Sequence, residues 1–153
     1  MKITADLVMS WHPCEQYTRE RVEELCGGKS LSVCDVLRLP IPGADRLWVV
    51  LRRDVLPDAV LREFAAMCAD IALTGERNAG REPDPRSWAA VEVALRHAAG
   101  DATDEELKLA AWSARSAAAW SAAWSAESAA ESAAARDVQC EILYALCIER
   151  RIE

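Results

Sequence analysis

Histidine is scarce in this chain, and so are lysine and phenylalanine; each scarcity excludes something. The two histidines, His12 and His97, stand far apart, and no H-E-x-x-H, G-x-S-x-G or phosphate-cradling glycine loop accompanies them. Zinc-hydrolase, serine-hydrolase and nucleotide-cleaving chemistry therefore lack their usual sequence support. No cysteine pair has C-x-x-C spacing: Cys14, Cys26 and Cys34 lie twelve and eight residues apart, and Cys140 and Cys147 lie seven apart. His12 with Cys14 is not followed by a second ligand pair, so no zinc site is expected. Neither metal nor cofactor is expected, and the six cysteines read as reduced thiols. Gly27-Gly28-Lys29-Ser30 lacks the earlier glycine of a phosphate loop and reads as a helix stop.

Long apolar runs are also missing. After Met1-Lys2 the apolar stretch Leu7-Val8-Met9 ends at Ser10 and His12-Pro13, which predicts no signal peptide. The Ala/Ser tail is interrupted by Arg115, Glu127 and Glu131, each costly in hydrocarbon, so no membrane span is expected. A cytoplasmic protein follows as the expectation.

Cations are the minority, 18 Lys and Arg against 25 Asp and Glu, for a net charge of −7. A broad face for duplex nucleic acid needs clustered cations, so the balance argues against one and favours a cationic partner. Yet 15 of the 18 basic residues are arginine, which keeps a local anion site open because the guanidinium forks onto carboxylate and phosphate.

What the chain does have is helix signal. At 153 residues it is the size of one ordinary domain, and we expect a single all-α domain over 1–153, short helices over 1–100 and a long tail helix or helix pair over 103–151. Pro13 opens a helix predicted to reach Leu25, stopped by Gly27-Gly28. Ser32 with Asp35 starts a short helix that must end before Pro40. A helix from Asp45 to Arg53 carries Leu47, Trp48 and Leu51 on one face, thickened by Val50. After Pro57, Val60, Leu61, Phe64, Met67, Cys68 and Ile71 recur at helical spacing and predict a core helix. A polar loop is expected from Thr74 to Pro83. Asp84-Pro85 then caps a helix to about Ala99, where Gly100 ends it, and His97 near that end suits the helix dipole. Thr103 to Glu106 is a capping box opening the tail.

The tail contains no glycine or proline as far as Glu153. As one helix from Asp104 to Arg150 it would span roughly 70 Å at ~1.5 Å per residue, about twice the width of a domain this size. The sequence therefore predicts a kink or break near 135–138, where alanine gives way to Arg136-Asp137-Val138; the alternative is a protruding end. Alanine supplies 29 residues and buries little area each, so the six tryptophans are the natural anchors. With Trp112 at zero and about 100° per residue, Trp120, Trp124, Glu127 and Glu131 fall within an arc of about 120°, and Arg115 about 60° to the other side. Either the tail is a close-packed central helix whose core face ends after Trp124, or Glu127 and Glu131 line a pocket. The candidate binding residues are thus Trp112, Arg115, Trp120, Trp124, Glu127 and Glu131, and the small-residue rows would also let two copies of the tail meet.

The helix around Cys14-Glu15-Gln16-Tyr17, the Ser32-Val33 segment, the Asp45-Arg46-Leu47-Trp48 helix and the Ala/Trp/Ser tail after Asp104-Glu105-Glu106-Leu107 together resemble the immunity proteins of bacterial polymorphic toxin systems and similar small phage and prophage proteins. The resemblance implies an all-helical, non-enzymatic protein that neutralises its target by binding it, and it brings no catalytic residues. Two partner classes follow. One is a protein effector or toxin, covered stoichiometrically through tryptophan and arginine hot spots. The other is a nucleotide-like immune signal, sequestered by a phage-encoded sponge between tryptophan and arginine side chains.

Overall fold

The computed structural model describes residues 2–121 and 129–152, with side chains over 2–114 and 134–152. The protein is all-α: eight helices are described, and the one extended pairing among the described residues is an antiparallel bridge between Ile3 and Leu31. No helix among the described residues is long and apolar enough to cross a membrane. The chain divides into two compact units, residues 1–57 with 130–153, and residues 58–129.

The first unit opens with α1 (Ala5–Ser10) and α2 (Arg19–Cys26). The helix predicted from Pro13 to Leu25 is therefore corrected to α2, which starts at Arg19, and the unpredicted α1 precedes Pro13. Two local causes separate them. His12 takes a left-handed φ of 54° just before Pro13, a residue that disfavours helix in its predecessor. Thr4 and Thr18 each cap a new start, accepting from Leu7 N and Arg21 N. Gly27 ends α2 in the left-handed region at φ 59°, as its position in the sequence predicts. The capping box of Ser32 and Asp35 forms on α3 (Val33–Leu37), with Asp35 Oδ2 accepting from Ser32 N at 2.8 Å. In α4 (Gly43–Val50) Leu47 and Val50 are buried, whereas Trp48 and Leu51 are exposed, so the expected inner face is rotated.

The last helix, α8 (Ala129–Glu149), completes this unit. It runs without interruption through Arg136-Asp137-Val138, which corrects the break expected at 135–138. That segment carries no helix-breaking residue, and Asp137 forms an ion pair with Arg46 of α4. Of the tail predicted as one long helix or a helix pair, α7 (Asp104–Ser121) and α8 are described, and the residues between them lie outside the described ones. Cys140, Leu143, Leu146 and Cys147 recur on one face of α8 and are buried. α8 and α4 meet closely: Cys140 Sγ donates to Gly43 O at 3.5 Å, and the Gly43 Cα faces the Arg136 backbone.

The second unit is a run of three helices in which α6 (Pro85–Ala99) packs on both α5 (Asp58–Asn78) and α7 (Asp104–Ser121). Val60 and Phe64 of α5 are buried as expected, but Ile71 is exposed. The loop predicted from Thr74 is shorter than expected, because α5 continues through Gly75 to Asn78 and turns at Gly80, φ 79°. Asp84 caps α6 through Arg86 N, Gly100 closes it at φ 86°, and the Thr103–Glu106 capping box starts α7. His97 at the end of α6 meets Asp104 at the start of α7, Nε2 to Oδ1 2.8 Å.

Gly75 gives a direct test of this helix boundary. A Cβ added there meets nothing within 4 Å. Gly75→Ala is expected to stabilise the second unit by about 0.5–1 kcal/mol, since a helix-interior glycine carries the larger backbone entropy loss. A raised urea midpoint is the expected reading; an unchanged or lower one would mean that α5 stops earlier.

Candidate functional site

The first unit contains an apolar cavity of about 320 Å³. Its walls come from the Ile3 segment, the α1–α2 connection, α2, the α3 region and α4, with Val8, Val22, Val36 and Ile41 among the lining groups. The elements that make it are short helices held by caps, which leaves their apolar side chains converging on a space that none of them fills. Polar groups reach the lining from several elements: Cys14 and Tyr17 from the α1–α2 connection, Cys26 from the end of α2, and Asp45 and the Trp48 indole from α4.

Tyr17 Oη donates to Asp45 Oδ2 at 2.7 Å. Burial, the bond to Asp45 and the negative charge of that carboxylate push the Tyr17 phenol up to about 12. A phenol raised above its ordinary 10.0 holds its proton more tightly in the folded state. The stability it contributes is complete below pH 10 and is lost as pH climbs through about 12. A phenolate absorbance titration should accordingly show a component near pH 12 that Tyr17→Phe removes; its persistence in that variant would assign it elsewhere.

Beside the cavity lies an aromatic and cationic cluster. Trp48 belongs both to the lining and to this cluster, and it is 40% exposed. Its ring meets Trp11 edge to face, centroids 6.3 Å apart with an interplanar angle of 78°. The Arg52 guanidinium lies 4.1 Å from the Trp48 ring centre and 4.3 Å from that of Trp11, and its Nε donates to Trp48 O at 3.2 Å. Trp11, just after α1, and Arg52, just after α4, are thus stacked with Trp48 into one patch at the surface.

Of the binding residues expected from the sequence, Trp112 alone has a described side chain. Trp112 on α7 is 72% exposed and Leu109, one turn before it, 67%, so this part of the tail is not the close-packed interior helix that the alanine rows predict. The side chains of Arg115, Trp120 and Glu131, and the whole of Trp124 and Glu127, lie outside the described residues. Sequence reasoning missed Trp11, Tyr17, Asp45 and Arg52 as a group. One signal was available: Trp48 and Arg52 stand at i, i+4, a spacing that brings side chains together on a helix. Trp11 and Tyr17 join them only through tertiary packing.

Compared with protein-family models, curated proteins and solved structures, the chain matches none.

Proposed function

We propose that this protein is a non-enzymatic antagonist in bacterial or phage conflict, an immunity-type inhibitor that acts in the cytoplasm by covering a protein effector one to one. The observation that carries the reading is the Trp11–Trp48–Arg52 stack beside an open apolar cavity. Tryptophan and arginine dominate the energetics of protein interfaces, above all where an anchor and a pocket adjoin. The cavity favours a protein over a nucleotide-like signal, because no lysine, arginine or histidine lines it to hold phosphate. An acidic protein of net charge −7 also draws a basic effector at long range.

The test is titration against a protein effector, sought first among the products of genes that adjoin this one. Inhibition should end at one equivalent, and Trp48→Ala or Arg52→Ala should weaken binding by about thirtyfold or more, the scale of a ~2 kcal/mol hot spot. Trp112→Ala, at an exposed position on the second unit, should leave affinity unchanged. Complete inactivation of effector by a tenth of an equivalent would overturn the stoichiometric reading. Full protection by a folded Trp48→Ala/Arg52→Ala double variant would move the interface away from this patch.

A further inference from the structure

We propose that the cavity of the first unit is a binding site for a small apolar ammonium ion, a protonated primary amine carried on a short aliphatic chain. The hydrocarbon part of such a ligand matches walls built from Val8, Val22, Val36 and Ile41. Its charged end is selected by what the cavity offers at its polar side. Asp45 is the one charged residue among those lining it, and the proton of Tyr17 is already given to Asp45 Oδ2. The Tyr17–Asp45 pair therefore presents acceptors, the second carboxylate oxygen and the phenol lone pairs, and the other side-chain donors of the lining, the Trp48 indole and the Cys14 and Cys26 thiols, are neutral. An acceptor-only end selects a donor, and a carboxylate selects a cationic donor over a neutral one. An anionic ligand would meet the carboxylate with repulsion and no cation. Arg21, whose charge is felt at Tyr17, stands outside the lining and pairs with Glu24 at 3.8 Å. The volume of about 320 Å³ is at the lower end of small-ligand sites, which suits a chain of a few carbons.

This deepens the antagonist reading: the identity of the natural occupant, a basic apolar anchor of the effector, rests on that reading, whereas ammonium binding does not. The experiment needs no effector. Pentylammonium, 1-pentanol and pentanoate are titrated against the full chain by calorimetry, and protection of Cys14 from iodoacetamide is followed in parallel, since Cys14 is exposed and lines the same cavity. Pentylammonium should bind about tenfold or more tighter than the alcohol, pentanoate should be weakest, and the ammonium should slow Cys14 alkylation. Asp45→Asn should reduce pentylammonium to the level of pentanol, while Tyr17→Phe, which keeps the carboxylate, should retain the preference. Equal affinity of amine and alcohol, binding without protection of Cys14, or no binding of any probe overturns the proposal. So does a loss of preference in Tyr17→Phe as large as in Asp45→Asn. A failed ammonium site leaves one-to-one inhibition standing, and a failed inhibition assay leaves the ammonium titration unaffected.

Discussion

Leu143→Ala is expected to destabilise the first unit by about 2–5 kcal/mol, the range for removing a buried leucine when the surroundings relax only partly. Leu143 is fully buried on α8, between Cys140 and Cys147 on the same face, and those two are at most 1% exposed. Neither neighbour is large enough to move into the space left behind. The burial that makes this face inert also pushes the Cys147 thiol up to about 11. The measurement is the urea midpoint of the variant, with Val138→Ala as the comparison. Val138 is 51% exposed on the same helix and should change stability by no more than about 0.5 kcal/mol. A loss below about 1 kcal/mol at Leu143 would contradict a packed contact between this face and the rest of the unit.

Gly43→Val carries the second large effect, for the opposite physical reason. A Cβ at Gly43 would stand 2.7 Å from Asp137 Oδ1 and 3.0 and 3.1 Å from the carbonyl carbon and oxygen of Arg136. The carboxylate can swing aside only by leaving Arg46, and the Arg136 backbone belongs to a helix that must move as a body. Alanine at this helical position would gain up to about 1 kcal/mol in propensity, against roughly 1–3 kcal/mol for the overpacking. Valine adds two branches at the point of contact and is expected to cost about 2 kcal/mol or more. Gly75→Ala, where nothing stands near the new methyl group, should shift stability the other way. If Gly43→Val is as stable as the parent protein, the close approach of α4 and α8 is wrong.

Which parts of this architecture were legible follows from how far apart the interacting residues lie. Ser32 with Asp35, Asp84 with Pro85 and Arg86, and Thr103 with Glu106 act within one helical turn, so their sequence spacing already contains the geometry. Gly27 and Gly100 stop helices for a reason internal to each residue. One helix start was misplaced for a local reason: His12 turns left-handed before Pro13, and Thr18 rather than Pro13 opens α2. The other errors arose where distant partners decide. Asp137 reads as a boundary residue until Arg46 is known to pair with it. The tryptophan stripe reads as a core face because its spacing is right for one, but spacing does not say what lies opposite; at Trp112 the side chain faces solvent. The cavity was invisible for the same reason. Its walls come from segments as distant as Ile3 and Val49, and no local rule brings Tyr17 to Asp45.

The first unit is assembled from the two ends of the chain, with residues 58–129 inserted between its parts. During synthesis its opening helices leave the ribosome carrying Val33, Val36, Leu47 and Val50, the apolar groups buried in the finished unit. The face of α8 that completes the unit is made last, on the order of ten seconds later at ordinary translation rates. The nascent chain must spend that interval with an unfinished apolar surface, while the three inserted helices are already long enough to pair among themselves. Early folding of the insert would shorten the effective loop to be closed and ease the late docking of α8. The order of synthesis thus lets residues 58–129 fold before the unit that brackets them is complete.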